Sequence, residues 1–135
     1  MSDTLKTGEA TRRSVLGDAH VDRSQKQTTG FDAPFFDMIT EGPWGTVWSS
    51  DALPKRERSM ITLALLAGLG NFEEFKLHLR ATMNTGASPK DIREVLHHVS
   101  VYAGVPRANH AFGLAREIYA DLGIDLTGDL DTAGK

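Results

Sequence analysis

Glycine and proline divide the second half of this sequence into four segments, and each segment repeats apolar residues at helical spacing. Proline favours the first turn of a helix and glycine the position after its last turn, so these residues mark helix ends. The predicted helices run from Pro54 to Leu69, from Asn71 or Phe72 to Asn84, from Ser88 to Gly104, and from Pro106 to Leu122. No stretch alternates apolar and polar residues over the length of a strand, so the pattern predicts an all-α fold of about six or seven helices.

The apolar residues also predict how two of these helices are buried. The helix that begins at Pro54 is apolar on nearly every side between Met60 and Ala67, which predicts a central position. The following helix has a narrower stripe at spacing i, i+3, i+7 and i+11, made of Phe72, Phe75, Leu79 and Met83.

The first half of the chain contains weaker helix signals. A short helix is predicted from Thr11 to Leu16, ended by Gly17, and a second from Ala33 or Pro34 to Glu41, capped by Asp32 and stopped by the Gly42-Pro43 pair. Residues 1–10 form a polar lead without periodicity and are predicted to be mobile. One helical domain is expected over residues 11–124, followed by a polar tail over residues 125–135.

Composition excludes several classes of function. The net charge of −3 is spread over interspersed acids and bases, so no basic stripe predicts nucleic-acid binding. The longest uncharged apolar run, Met60 to Leu69, has about half the length that a membrane crossing needs, and the polar N-terminus has no signal-peptide core. The absence of cysteine excludes a sulfur nucleophile, a disulfide and a thiolate metal site. These features predict a soluble cytoplasmic protein.

Glu74 and His78 form the most informative pair for chemistry. Their spacing places both on one helical face, about 6 Å apart at Cβ, so the carboxylate can orient an imidazole that acts as a proton donor. Arg80 adds a cation on the same helix. The alternative is a solvated pair on an exposed surface.

Glu94, His98 and Tyr102 form a second polar line at spacing i, i+4 and i+8. A glutamate, an imidazole and a phenol can relay protons, although such a line is also typical of a solvated face or an inter-subunit rim. A metal site is not predicted, because the spacing of the candidate histidines matches no known ligand template. Those histidines are His78, His97, His98 and His110.

The junction between the last two predicted helices is a candidate anion site. Gly104 and Pro106 break and restart the helix, and the new helix start presents free amides beside Arg107 and Asn109. The alternative is a tight corner between two helices.

Two tryptophans and one arginine complete the candidates. Trp44 and Trp48 lie one helical turn apart and would form either core packing or the wall of a pocket. Arg58 precedes a long apolar run, so its guanidinium is expected to be partly buried and to need a partner.

Several sequence blocks together resemble the carboxymuconolactone decarboxylase family, over about residues 12 to 122. The matching blocks are Val15 to Arg23, Trp44-Gly45-x-x-Trp48, Arg58-Ser59-x-Ile61-Thr62-Leu63, Glu73-Glu74, His78 to Ala81, Glu94 to Leu96, and Val101 to Phe112 with gaps at 107 and 110. The opening block and the tryptophan pair are more specific to the decarboxylase branch than the rest. The resemblance implies an AhpD-like helical fold and a ring-shaped homo-oligomer, a trimer or a hexamer.

The wider family includes alkylhydroperoxidases with a Cys-x-x-Cys-x-x-x-His motif. The corresponding stretch has Asn71 and Glu74 at the thiol positions, while His78 remains. A thiol peroxidase mechanism is therefore excluded. The sequence departs from the branch's usual pattern at His97 and at Arg107, where an aliphatic residue and an alanine are more usual.

The resemblance implies decarboxylation of 4-carboxymuconolactone to 3-oxoadipate enol-lactone in the β-ketoadipate route of aromatic catabolism, without metal or cofactor. The implied roles are His78 as general acid oriented by Glu74, His98 or Tyr102 as oxyanion donor, Arg58 as the carboxylate grip with Arg80 or Arg107 in reserve, Asn109 beside them, and Trp44 with Trp48 as an apolar wall. Two alternatives remain: a paralogue that acts on another lactone or keto acid as a hydrolase or isomerase, and a non-catalytic helical ring that binds a small acid or a partner protein.

Overall fold

A computed structural model describes residues 2–133 of the chain, and these residues are helical without any strand. The helices are α1 (Asp3–Leu16), α2 (Asp18–Gln27), α3 (Ala33–Ile39), a π-helix (Thr40–Val47), α4 (Lys55–Leu69), α5 (Phe72–Thr85), α6 (Pro89–Tyr102), α7 (Val105–Asp121) and α8 (Leu130–Ala133). The prediction of an all-α fold is confirmed. The helices form two compact units, divided after Lys55. Over residues 2–133, no helix is both long enough and apolar enough to cross a bilayer.

Helix α1 of the first unit begins much earlier than the predicted start at Thr11. Ser2 caps it, since the Ser2 side chain accepts a hydrogen bond from the Leu5 amide at 3.0 Å, and Asp3 lies in the first turn. The segment lacks apolar periodicity because part of its buried face consists of Gly8 and Arg12, which no hydrophobic pattern detects. The mobility of residues 1–10 stays a prediction.

Helix α1 and the π-helix are in direct backbone contact through two glycines. A Cβ atom placed on Gly8 would lie 1.9 Å from the carbonyl oxygen of Thr40, and one placed on Gly45 would lie 2.6 Å from the carbonyl oxygen of Thr4. Both positions therefore need glycine, because any side chain would force the two helices apart.

The predicted stop at Gly42-Pro43 is wrong, because the chain continues through Pro43 as a π-helix. Proline has no amide hydrogen to donate, but its carbonyl still accepts a hydrogen bond from the Trp48 amide at 2.9 Å, five residues on. Asp32 also does not cap α3 with its side chain. Its carboxylate accepts from the Thr29 amide at 2.8 Å instead.

Helices α4 to α7 of the second unit begin and end within two residues of the predicted positions. Ser88 and Asp91 form a full capping box at the start of α6, and Gly86 closes α5 in the left-handed conformation. The core of this unit is built from buried residues of α4, α5, α6 and α7, among them Leu63, Phe75, Leu79, Leu96 and Ala111.

Asp91 also ties α4 to α6. Arg56 on α4 donates to both of its carboxylate oxygens, including a 3.0 Å bond from Nε to Oδ2. Burial alone would raise the pKa of Asp91, but the hydrogen bonds from Arg56 and Ser88 outweigh burial and hold that pKa below its ordinary value.

Helix α4 does not have the predicted central position. Ser59, Leu63 and Ala67 are buried, but Ile61, Leu65 and Leu69 are 48%, 58% and 68% exposed. These three residues recur every four positions and form one apolar face that the described part of the chain leaves open.

The predicted polar tail contains the short helix α8. Its Asp131 accepts a hydrogen bond from Arg93 at 2.7 Å and lies 3.7 Å from the ammonium of Lys90, so both cations of α6 hold this helix. Gly134 and Lys135, which end the predicted tail, lie outside the described residues.

Candidate functional site

An open groove between α4 and α6 is a candidate site in the second unit. It consists of two cavities of about 310 Å³ and about 290 Å³, which share Ala64 and His98 and therefore adjoin each other. We call it the α4–α6 groove. Its walls are mostly apolar and are formed by Met60, Ile61, Ala64, Leu65, Gly68, Leu69, Val95, Val99 and Ala103, with Glu94, His98 and Tyr102 as polar or amphipathic members.

The structure brings His98 and Tyr102 together in this groove, as their spacing predicts. Their rings stack with centroids 4.8 Å apart and an angle of 30° between the planes. Tyr102 is 80% exposed and His98 is exposed as well, so both side chains are accessible to a ligand. Glu94 lines the same groove. Their catalytic roles stay predictions.

Arg58 lies on α4, about one turn before Ile61, and it is not among the side chains that line the groove. It precedes Ile61 by three residues and Leu65 by seven, so the three share one face of the helix, and the other two line the groove. The Arg58 side chain is half-buried, and its Nε atom is buried without a hydrogen-bond partner among residues 2–133. A buried guanidinium nitrogen of this kind is suited to bind an anionic ligand.

Glu74 and His78 lie one turn apart on α5, within a regular helix, so they share a face as predicted. Glu74 is exposed, whereas His78 is half-buried and its Nδ1 atom is inaccessible to solvent. One side of the imidazole therefore faces the protein, which restricts how the ring can turn.

The other predicted cations have structural contacts. Arg80 donates to Asp121 at 2.6 Å and thereby ties α5 to α7. Arg107 lies against Gly70, where a Cβ atom would come within 1.9 Å of its guanidinium. Asn109 is exposed on α7. Their binding roles stay predictions.

Two histidines without an assigned role have aromatic neighbours. His110 stacks on Phe72 with centroids 4.0 Å apart, which joins α7 to the start of α5. His97 lies 5.9 Å from the ring of Phe112, and its Nδ1 atom is 3.5 Å from Glu94. No cluster of three or more metal-ligating side chains occurs within the part of the chain that the structure describes.

Trp44 and Trp48 belong to the first unit. Their rings stack at a centroid distance of 5.0 Å, and the two residues are only 7% and 8% exposed; Val15 and Val21 are also buried in this unit. This burial matches core packing, and their role as an apolar wall for a ligand stays a prediction.

The chain is similar to known decarboxylases over most of its length. Residues 33–117 match the model of the carboxymuconolactone decarboxylase family. The chain is 41% identical over 119 residues to a 4-carboxymuconolactone decarboxylase of Acinetobacter baylyi, which covers 88% of this chain and 89% of that protein. It is 35% identical over 115 residues to a nitrosuccinic acid decarboxylase of Metarhizium robertsii, which covers 85% of this chain and 80% of that protein.

Proposed function

The chain belongs to the carboxymuconolactone decarboxylase family, and we propose that it decarboxylates 4-carboxymuconolactone to 3-oxoadipate enol-lactone without a metal or an organic cofactor. The observation that carries this proposal is the similarity to the Acinetobacter decarboxylase over nearly the full length of both chains. The lower identity to the nitrosuccinic acid decarboxylase makes nitrosuccinate the second candidate substrate.

The chemistry of the substrate makes a cofactor unnecessary. Loss of carbon dioxide from the ring carbon γ to the lactone carbonyl pushes electrons through the ring double bond to the carbonyl oxygen, so the ring is its own electron sink. The protein then has three tasks: it binds the acetate arm, it donates a hydrogen bond to the developing oxyanion, and it protonates the ring carbon α to the carbonyl.

His78 is the proposed general acid. The half-buried position of the ring, with Nδ1 turned into the protein, supports a fixed orientation, and Glu74 on the same face can steady the imidazolium form. Glu74 is exposed in the single chain, so its part in the site depends on what covers that face of α5.

His98 or Tyr102 is the proposed oxyanion donor. Both lie in the α4–α6 groove, both carry a hydrogen-bond donor, and their stacked arrangement holds the rings in one relative position. The apolar walls of the groove would keep the leaving carboxylate poorly solvated and without a salt bridge. A salt bridge there would stabilise the substrate before reaction, so its absence favours loss of carbon dioxide.

Arg58 is the preferred grip for the acetate carboxylate. Its buried Nε atom has no partner among the described residues, whereas Arg80 already donates to Asp121 and Arg107 lies against Gly70. Arginine binds a carboxylate through two parallel hydrogen bonds, which fixes the orientation of the substrate as well as its charge.

The proposed assembly is a homo-oligomer, a trimer or a hexamer, in which another copy covers the α4–α6 groove. The exposed apolar side chains of this surface support the proposal, because monomeric proteins rarely leave such a contiguous face open to water. Those that line the groove are Ile61, Leu65, Leu69 and Tyr102, while Val101 and Val105 are exposed at the end of α6 and the start of α7. A covering copy would also exclude water from the reaction. We also propose that the protein acts in aromatic catabolism and is located in the cytoplasm.

The direct test is to generate the γ-carboxylated lactone enzymatically in the reaction mixture and to follow release of carbon dioxide with and without a strong chelator. We expect equal release in both cases. Release that the chelator abolishes would refute the metal-free mechanism. No release from this lactone, together with release from nitrosuccinate, would establish the second candidate, and no release from either would favour a non-catalytic binding protein.

A further inference from the structure

The first unit contains a buried arginine that forms no ion pair with a carboxylate among residues 2–133. Arg12 on α1 is only 7% exposed. One guanidinium nitrogen donates to the hydroxyl of Ser24 at 3.3 Å, while Nε is buried without a hydrogen-bond partner among residues 2–133. A buried guanidinium is strongly destabilising unless an anion or several acceptors compensate for its lost hydration, so this position calls for a ligand.

The neighbouring arginine shows what Arg12 lacks. Arg13 on the same helix has ion pairs with Glu9 at 3.5 Å, with Asp18 at 3.1 Å and with Asp22 at 2.9 Å. Within the described residues, no carboxylate oxygen lies within ion-pair distance of Arg12. Glu9, Asp18 and Asp22 therefore pair with Arg13, and Glu9 attracts the Arg12 guanidinium only from beyond ion-pair distance.

Arg12 lines two cavities of about 160 Å³ and about 100 Å³, both within the first unit. The two cavities also share Gln25, Asp37 and Thr40, so they adjoin each other. The larger one is about the size of a protein cavity of roughly 150 Å³ that accommodates benzene, which limits a ligand to about six heavy atoms.

The donors that remain free in the larger cavity suit a carboxylate. The hydroxyls of Thr28 and Thr40 already donate to backbone carbonyls, at 2.8 Å and 2.7 Å. The Ser24 hydroxyl accepts from Arg12 and keeps its own hydrogen, so it can donate next to Arg12 Nε. Once a shift of the Arg12 side chain opens Nε to the cavity, these two groups can bind the two oxygens of one carboxylate.

Charges around the cavity favour an anion at one end and a hydroxyl at the other. Arg12 is the cation that lines the larger cavity among the described residues, and its positive charge also helps, after burial, to lower the pKa of the nearby His20. Asp37 lines both cavities and would repel a second anionic group, but it can accept a hydrogen bond from a hydroxyl.

We propose that this cavity binds a small hydroxycarboxylate, whose carboxylate pairs with Arg12 and the Ser24 hydroxyl and whose own hydroxyl donates to Asp37. This site is additional to the proposed decarboxylase chemistry and does not depend on it.

The test is a titration of the ¹⁵N-labelled protein with L-lactate, observed at the arginine Nε–H resonances by NMR. Propionate, which lacks only the hydroxyl, and chloride at matched ionic strength serve as comparison ligands. We expect one arginine signal, assigned to Arg12 by its loss in Arg12→Lys, to shift saturably with lactate. Propionate should bind about tenfold more weakly, since it loses one charge-assisted hydrogen bond. Chloride should leave the signal unchanged.

Substitutions at Arg12 and Ser24 distinguish a ligand-binding role of Arg12 from a purely structural one. Arg12→Lys should bind lactate at least about tenfold more weakly, and Arg13→Lys, the matched control, should bind it like the unchanged protein. If Arg12→Lys does not fold, Ser24→Ala removes the second donor and keeps the guanidinium, and it should weaken binding as well. The proposal is overturned if lactate causes no saturable shift, if chloride causes the same shift, or if neither substitution weakens binding.

Discussion

Replacing Gly8 with alanine tests whether the first unit depends on direct backbone contact between α1 and the π-helix. The new Cβ would lie 1.9 Å from the Thr40 carbonyl oxygen and 2.9 Å from the Gly45 amide nitrogen. Real Cβ atoms essentially never approach closer than 3.0 Å, so α1 has to move away by roughly 1 Å. Backbone atoms cannot rotate aside as a flexible side chain does.

The expected magnitude follows from two opposing effects. Overpacking of a tight contact typically destabilises by about 1–3 kcal/mol, while alanine in a helix interior is favoured over glycine by about 0.5–1 kcal/mol. A 1.9 Å contact with backbone lies in the upper part of the overpacking range, so the free energy of unfolding should fall by about 1–2 kcal/mol. Gly30→Ala, in the turn before α3 of the same unit, is the matched control, because its Cβ would meet nothing within 4 Å, and it should leave the free energy of unfolding unchanged or slightly higher.

Tryptophan emission during urea unfolding is the appropriate assay. Trp44 and Trp48 are the two tryptophans of the chain and both lie in the first unit, so emission reports on the unit that contains Gly8. We expect a lower midpoint for Gly8→Ala with an unchanged slope. A midpoint equal to or above that of the unchanged protein would refute the argument from backbone contact.

His78→Ala should lower kcat for decarboxylation by about 10²–10⁴, measured as carbon dioxide release, because a positioned general acid is lost; near-normal turnover would remove the assignment. Asp91→Asn keeps a capping side chain but loses the charge that faces Arg56. Since the pKa of Asp91 is held below its ordinary value in the folded protein, the stabilisation is present above about pH 4 and is lost as the pH falls through the folded pKa. In urea unfolding, Asp91→Asn should therefore have a lower free energy of unfolding than the unchanged protein at pH 7 and the same free energy at strongly acidic pH. An equal loss of stability at both pH values would contradict this. Leu65→Lys should shift the assembly toward single chains in light scattering.

Two variants control these results. His97→Ala removes an exposed imidazole that contacts Phe112, and it should keep the turnover that His78→Ala loses. Met83→Lys charges another exposed apolar residue outside the α4–α6 groove, and it should leave the assembly unchanged. Loss of assembly in both lysine variants would speak against the groove as the contact surface.

The second half of the chain could be predicted because its signals are local. The capping box of Ser88 and Asp91 and the closing Gly86 act within a few residues, so the sequence contains the whole cause of each helix end. The first half depends on contact between distant segments. Gly8 and Pro43 are typical helix breakers in a sequence, yet the packing of α1 against the π-helix makes both part of continuous helices.

In the candidate site, too, the sequence predicts contacts within one helix but not contacts between distant segments. Helical periodicity places His98 beside Tyr102, and the structure confirms that neighbourhood. Periodicity does not reveal that Arg80 pairs with Asp121, 41 positions later, because only tertiary packing brings them together. The burial of Arg12 could not be predicted for the same reason, because α2 and α3 form much of the cavity around it.

The open groove on α4 and α6 has a consequence for how rates should be measured. His98 and Tyr102 line the same surface that carries the exposed Leu65 and Leu69. If copies of the chain associate there, mass action makes the competent form a function of protein concentration. Specific activity should then decline on dilution and recover on reconcentration, so turnover numbers from very dilute enzyme would underestimate the assembled one.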